Sequence, residues 1–269
     1  MRQRARFLLI IAVIFLAGVA AAGVLCRDAA MVTDFSRKDL APCLKYPFGT
    51  DWLGRNMFYR TLTGLSMSIL IGVCAAGVSA AMALVLGVAA ATLGKKTDSV
   101  ISFFIDMVMG IPHILLLVLI SYAAGKGLKG VVIGVALTHW TSLARLIRGE
   151  VLQLKESEYI QIARKLGHGN FEIARKHMLP HLLPQFLVGL VLMFPHAILH
   201  ESSITFLGFG LSSEQPAIGV ILSESMKYLI TGKWWLALFP GLMLVLTVVL
   251  FDLGGTSLRK ILDPGSVHE

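Results

Sequence analysis

Charged side chains are scarce in this 269-residue chain. Asp, Glu, Lys and Arg together make up 15% of it, while hydrophobic residues make up 56%. Soluble domains carry about 25% charged residues. A soluble core of this size does not need so much apolar surface, so the composition excludes an ordinary globular protein and indicates the lipid bilayer as the solvent.

Cysteine is also rare. The chain has three cysteines, Cys26, Cys43 and Cys74, and their positions show neither the spacing of a metal site nor the pairing of a disulfide framework. A Cys26–Cys43 disulfide has no further support in the sequence. The cysteine content therefore excludes the disulfide-rich secreted class.

Recognisable catalytic motifs are missing as well. The run Gly94–Thr97 resembles the end of a phosphate-binding loop, but Ala89 stands where that loop requires a glycine. His200 is followed by a glutamate, as in the helix of a zinc protease, but Ile204 stands where the second histidine belongs. We therefore expect no enzyme, no ATP hydrolysis by this chain and no cofactor bound to it.

Long apolar stretches without charge are present instead. They are long enough for helices of about 20 residues, the length that crosses the hydrocarbon core, and occur at Phe7–Cys26, Thr61–Gly94, His177–His200 and Trp234–Phe251. The sequence predicts an all-α polytopic membrane protein with a single transmembrane domain over residues 1–269. Six spans are predicted at about 7–26, 66–92, 99–123, 129–147, 185–207 and 234–253, so that the core spans cover 66–253.

The first apolar stretch allows two interpretations. Basic residues before it and small residues after it are typical of a secretory signal peptide. The stretch is longer than the usual core of a signal peptide, however, which favours a retained first span.

The distribution of Lys and Arg predicts the orientation. Most of them lie in the connections on one side of the six spans, and this places both termini and the loop 148–184 in the cytoplasm. The net charge of +8 is thereby explained by topology, and no nucleic-acid partner is expected. The loop 27–60 is predicted to be extracytoplasmic, with Trp52, Arg55 and Arg60 as an anchor at the membrane interface or as a contact for a partner protein.

The cytoplasmic loop contains a basic, helix-prone segment. Its apolar residues predict a helix over 149–166, and Gly167 then allows a sharp turn. A second short helix is predicted over about 171–178, ending before Pro180 because a proline disfavours helix in the residue before it. Such a hairpin suits a groove of a soluble partner or, alternatively, the surface of the membrane.

This segment resembles the coupling loop of permeases in binding-protein-dependent ABC importers. The resemblance rests on Glu158 to Gly167, Ile173 and Met178-Leu179-Pro180, although Gln161 and Ile162 depart from the usual Glu-Ala pair. Further matching segments point to the second permease of peptide and nickel importers: Gly49-Thr50-Asp51-Trp52-Leu53-Gly54-Arg55, Ile111-Pro112, Ala144-Arg145, Arg148-Gly149, Glu201 to Gly208, Trp235 to Gly241 and Leu262-Asp263-Pro264.

The resemblance implies a function, partners and a location. The chain would be a multi-pass permease subunit in the inner membrane of a prokaryote, paired with a homologous permease subunit. Two cytosolic ATPase subunits would hold the ATP and Mg, and an extracytoplasmic protein would deliver the substrate. The residues implied in coupling to the ATPases are Glu158, Ala163, Gly167, Ile173 and Pro180.

Polar residues inside the predicted spans mark a candidate translocation path, because polar groups there face protein or water. These residues are Asp106, His139, His196, His200 and Glu201. Asp106 has a simpler interpretation as the partner of a nearby Lys or Arg, and His113 and His139 as hydrogen-bonded contacts between helices. His196 and His200 lie on one helix face and form a candidate transient metal site with Glu201 beside them.

Nickel, free or chelated, is the first substrate hypothesis, because imidazole suits nickel and peptide transport has no special need for it. A similar His-x-x-x-His pair in permeases of nickel importers supports this choice. Import of di- or oligopeptides is the alternative. An ion-coupled secondary transporter or an intramembrane enzyme fits less well, since the spans hold few acids and the catalytic motifs fail.

Overall fold

A computed structural model of the chain describes residues 2–262, so Met1 and residues 263–269, including Asp263 and Pro264 of the C-terminal motif, lie outside the described part. The described part is built from α-helices, which are α1 (Arg2–Leu25), α2 (Arg27–Met31), α3 (Met57–Thr92), α4 (Lys95–Gly110), α5 (His113–Ala123), α6 (Gly127–Lys155), α7 (Glu158–Lys165), α8 (Asn170–Ile173), α9 (Leu179–Phe206), α10 (Ile218–Leu229) and α11 (Trp235–Leu262). A 3₁₀ turn covers Phe35–Arg37, and a π-helical turn covers Ala174–Met178.

Five of these helical stretches are long and apolar enough to cross a membrane: α1, α3, α6, α11 and the continuous stretch Ala174–Phe206. The pair α4 and α5 makes a sixth span if it is counted as one. The predicted all-α, polytopic class is confirmed, and so is a number of spans close to six.

The third span differs from its prediction as a single helix over 99–123. Helix α4 ends at Gly110, and α5 runs at an angle of 101° to it. The cause is local: Pro112 disfavours helical backbone in the residue before it, and Ile111 is extended, with φ −89° and ψ 136°. At ~1.5 Å per residue α5 is only about 16 Å long, so it cannot cross the bilayer core by itself.

The packing between α3 and α6 forms the centre of the molecule. Small residues on α3, including Ala80, Ala83 and Gly87, are buried and let the two backbones approach closely. A Cβ atom on Gly87 would lie 2.8 Å from the carbonyl oxygen of Ala144 on α6. Ser79 adds a polar contact, because its hydroxyl donates to the carbonyl of Ala136 at 2.9 Å.

Helix α1 packs against α3 through the same kind of close contact. The Thr63 hydroxyl donates to the carbonyl of Gly23 at 3.1 Å, and the Ser66 hydroxyl donates to that of Ala20 at 3.0 Å. A Cβ atom on Gly23 would collide with the backbone of Leu62. The first apolar stretch is therefore integrated into the helix bundle.

The segment before α3 is held by a buried network of charges. Asp51 is fully buried and accepts hydrogen bonds from Arg55 Nε at 2.7 Å and from Arg60 Nη1 at 2.6 Å. Trp52 stacks on Tyr228 of α10, with 4.7 Å between the ring centroids. Arg55 and Arg60 are thus occupied inside the protein, and their interpretation as an anchor in the lipid headgroups is wrong.

Pro180 does not end a helix, contrary to the sequence prediction. The chain runs from the π-helical turn directly into α9, and Pro180 lies in the first turn of that helix. In the π-helical turn the Leu179 N–H bonds to the carbonyl of Ala174, five residues earlier. This wider turn accommodates a proline without an N–H, so the helical stretch is continuous from Ala174 to Phe206.

Candidate functional site

A cavity of about 740 Å³ lies at the bend between α4 and α5 and is lined on its other sides by α6 and α9. Its size falls within the range of small-molecule sites. Most of its lining is apolar, and the polar groups come from α5, α6 and α9. Those that matter below are His113, Thr138, His139, Ser142, His196 and His200.

Three histidines from three helices meet in this cavity. The ring centroid of His113 lies 4.7 Å from that of His139 and 4.4 Å from that of His200, and the last two are 5.1 Å apart. One ring nitrogen of each histidine can be chosen so that all three lie within 4.8 Å of one another. We call His113, His139 and His200 the histidine cluster.

The ring of His139 has a defined orientation. Its Nδ1 lies 3.0 Å from the carbonyl oxygen of Val135, one turn earlier on α6. The Thr138 hydroxyl lies 3.1 Å from the same Nδ1. In the tautomer that donates from Nδ1 to the Val135 carbonyl, which only accepts, Nε2 keeps its lone pair. The Nε2 atoms of His139 and His113 are both buried and have no hydrogen-bond partner in the described part of the chain.

The structure brings together some of the predicted site residues. His139 and His200 meet, and His196 lines the same cavity but lies outside the cluster and is exposed. The predicted pair of His196 and His200 thus faces one cavity, and there His200 also meets His113, which the sequence did not place with it. The sequence contained one indication that His113 matters: it directly follows Pro112, where the chain bends.

Glu201 and Asp106 do not line the cavity. Glu201 is fully buried, and its carboxylate accepts hydrogen bonds from Thr205 at 3.0 Å and Ser202 at 3.3 Å. The prediction that it stands beside the imidazoles is wrong, because consecutive residues on a helix point in different directions. Asp106 pairs with Arg145 of α6 at 2.5 Å, as its simpler interpretation proposed.

The basic loop forms a helical hairpin around Gly167. The predicted helix over 149–166 is in fact two helices, since α6 ends at Lys155 and α7 begins at Glu158. Gly167 has φ +87°, a value that glycine adopts readily. The N–H groups of Gly167 and His168 bond back to Arg164 and Ala163, which is the Schellman motif that ends many helices.

The hairpin has an inner and an outer apolar face. Ile160, Ala163 and Ile173 are buried against the rest of the chain, with exposures of 0%, 6% and 1%. Tyr159, Ile162 and Leu166 point outward and are exposed by 45%, 56% and 74%. Ala163 therefore supports the hairpin from within, and the outer face consists of the other three side chains.

Charged side chains contact one another on the second arm of the hairpin. Glu172 accepts hydrogen bonds from Lys176 at 2.7 Å and faces His168 Nδ1 at 3.0 Å. Lys176 first and His168 second lower the pKa of Glu172 to about 2. The carboxylate thus stays ionised at physiological pH, and its contacts, which are exposed to solvent, contribute little to the stability of the hairpin.

Comparison with known proteins gives consistent matches. Residues 83–267 match the family model described as binding-protein-dependent transport system inner membrane component. The chain is 33% identical over 229 residues to the dipeptide transport system permease protein DppC of Bacillus subtilis, which covers 85% of this chain and 72% of that protein. It is also 33% identical over 232 residues to the oligopeptide transport system permease protein OppC of the same organism, with coverages of 86% and 76%.

Among solved structures, a chain of the MetNI methionine ABC transporter in an inward-facing conformation is similar in fold. The TM-score is 0.65 at 18% sequence identity, and the match covers 77% of this chain and 98% of the other. At this identity the likeness concerns the fold alone.

Proposed function

Because the chain belongs to the family of binding-protein-dependent transport system inner membrane components, we propose that it is the permease subunit of an ATP-driven importer for short peptides. The observation that carries the choice of substrate is the similarity to dipeptide and oligopeptide permeases along more than four fifths of the chain. Neither of those relatives is named for nickel, so the nickel hypothesis gives way to its alternative.

The cavity supports a role in translocation. It has the volume of a small-molecule site, and its wall is made of helices from four parts of the chain. The described residues that line it include no Asp or Glu. An ion-coupled transporter would need such acids near its site, so this alternative loses its support.

The hairpin around Gly167 supports docking to ATPases. Its outer face of Tyr159, Ile162 and Leu166 is apolar and exposed, although it belongs to a loop with six Lys and Arg residues. A rigid Schellman turn connects the two arms, and the second arm continues into α9, whose side chains line the cavity. Force applied to the hairpin would thus reach the cavity wall through one helix.

The cavity and the outer face of the hairpin together suggest how the importer is assembled. A homologous permease subunit pairs with this chain to complete the pathway, and two cytosolic ATPases dock on the hairpins. A substrate-binding protein delivers the peptide to the opposite face. The distribution of basic residues supports cytoplasmic termini and a cytoplasmic hairpin in an inner membrane.

Uptake by cells tests the proposal. We would compare a strain that lacks the chain with the same strain carrying it, using radiolabelled dipeptide, tripeptide and nickel in parallel. The expected result is loss of peptide uptake without the chain and its return with it. Nickel uptake that depends on the chain, with peptide uptake unaffected, would reverse the choice of substrate.

Affinity purification of the full chain from its own membranes tests the assembly. We expect an ATPase with a phosphate-binding loop and a second permease to copurify in fixed ratio. Purification of the chain alone, under conditions that keep membrane complexes intact, would contradict the assembly but not the substrate.

A further inference from the structure

We propose that the histidine cluster is a binding site for a divalent transition-metal ion such as Ni²⁺, Co²⁺ or Zn²⁺. Nothing in the similarity to peptide permeases assigns a metal to these positions. The proposal rests on His113, His139 and His200 themselves, whose ring nitrogens come within 4.8 Å of one another from the start of α5, the middle of α6 and the C-terminal part of α9.

The unpaired nitrogen atoms are the first argument. A buried polar atom without a partner is unfavourable, because it has lost its hydrogen bonds to water and gained none in the protein. His113 Nε2 and His139 Nε2 are such atoms, and both belong to rings in the same cavity wall. A metal ion coordinated by their lone pairs would remove this cost for both at once.

The second argument is the orientation of His139. Histidines that bind metal ions nearly always donate their other ring N–H to a carbonyl or carboxylate, which fixes the tautomer. His139 does this already, with Nδ1 3.0 Å from the Val135 carbonyl oxygen.

The distances are close to those of a coordinated ion. The three ring nitrogens lie within 4.8 Å of one another, and tetrahedral zinc with nitrogen ligands at ~2.0–2.1 Å requires about 3.3 Å between them. The three nitrogens must therefore converge by up to about 1.5 Å to bind one ion. Imidazole ligands select Ni, Cu, Zn and related ions over Mg or Ca.

Three protein ligands leave coordination positions open, as in catalytic zinc sites. Here the open positions face the cavity, where His196 and Ser142 provide further polar groups. The amino group and the carbonyl oxygen of a short peptide are suitable ligands for these positions. The ligand class is therefore a metal ion with a small chelator, and this last step rests on the proposed import of peptides.

Direct binding of Co²⁺ to the purified full chain tests the site. The chain would carry a tag without histidine, and Co²⁺ would be titrated while the visible absorption of the bound ion is recorded. We expect one Co²⁺ per chain, and a loss of affinity of at least about tenfold in His113→Gln, His139→Gln and His200→Gln, since even partners of metal ligands are worth 10–100-fold.

His181→Gln is the matched control, because His181 is an exposed histidine at the start of α9 and does not line the cavity. It should bind Co²⁺ as the wild type does. The proposal would be overturned if the wild type did not bind Co²⁺, or if the three cluster variants bound it as tightly as the wild type. Loss of binding in His196→Gln but not in His113→Gln would also overturn it, since the ion would then sit on the α9 pair.

A second measurement covers variants that fail to fold. X-ray absorption of the Ni²⁺-loaded wild type counts imidazole ligands, and we expect three. A count of one or none would contradict the site without any mutation. These measurements need neither partner subunits nor peptide. A negative result for metal binding therefore does not affect the conclusion from peptide uptake, and a negative result for peptide uptake does not affect the conclusion on metal binding.

Discussion

Arg60, in the first turn of α3, and Glu224, on α10, are joined by a hydrogen bond of 3.0 Å across 164 residues of sequence. Arg60 is nearly fully buried and holds Asp51 with its other nitrogen. A buried charge is tolerated only when it is paired. These side chains therefore connect the segment before α3 to α10, and removing any one of them should lower the stability of the protein.

We expect Asp51→Ala to destabilise the protein by about 3–5 kcal/mol, because it leaves two buried guanidinium groups with a single remaining carboxylate. In a chain of this size the unfolding temperature should fall by roughly 10 °C. Thermal unfolding in detergent measures it. Asp28→Ala, at an exposed carboxylate nearby, serves as the control; equal shifts for both variants would contradict the role of the network.

Gly87→Ala should destabilise the bundle, whereas Gly77→Ala on the same helix should not. A Cβ at position 87 meets the Ala144 carbonyl oxygen at 2.8 Å, while a Cβ at position 77 meets nothing within 4 Å. Overpacking costs about 1–3 kcal/mol, and alanine in open space gains up to about 1 kcal/mol of helix propensity. The two unfolding temperatures should thus move in opposite directions, and a common direction would refute the close α3–α6 contact.

Gly167→Val should uncouple ATP hydrolysis from uptake in the assembled importer. No atom lies within 4 Å of a Cβ there, so the effect comes from the backbone alone. A non-glycine residue at φ +87° costs about 1–2 kcal/mol, which opens the Schellman turn. Gly169→Val is the control, since position 169 has equal space and no positive φ. We would measure ATPase activity and uptake together, and unchanged coupling in Gly167→Val would count against the hairpin.

Ile162→Asp should weaken association with the ATPase without changing the stability of the isolated chain. Ile162 is exposed by 56%, so an aspartate there meets water in the free chain and the partner in the complex. Copurification and thermal unfolding measure the two effects. Leu44→Asp alters a fully exposed apolar residue in the segment 27–60 and should leave association intact. If Ile162→Asp also leaves association intact, the outer face is a surface for lipid.

Much of the fold could be predicted from local sequence. The uncharged stretches predict most of the spans because length and apolarity alone decide whether a helix can cross the bilayer. Gly167 could be placed in a turn because its conformational freedom is a local property. The bend at Pro112 was missed, although the restriction on Ile111 is also local, because the apolar stretch continues across it without interruption.

The candidate site could be predicted only in part. His139 and His200 were candidates because they are polar residues in apolar helices. Their meeting with His113 depends on how α5, α6 and α9 pack, which no pattern within one helix specifies. The separation of Glu201 from the imidazoles could have been anticipated, since a residue next to His200 points about 100° away from it around the helix.

The continuous helical stretch from Ala174 to Phe206 connects the hairpin directly to the cavity. Met178, next to the hairpin, and His200, in the cavity, are 22 residues apart on it, a distance of about 33 Å. A tilt of only ~5° about the hairpin end moves the far end by about 3 Å, at ~1.5 Å of helix per residue. That displacement exceeds the length of a metal–imidazole bond, ~2.0–2.1 Å. If the histidine cluster binds a metal ion as proposed, a small movement of the hairpin is therefore enough to pull His200 away from the ion.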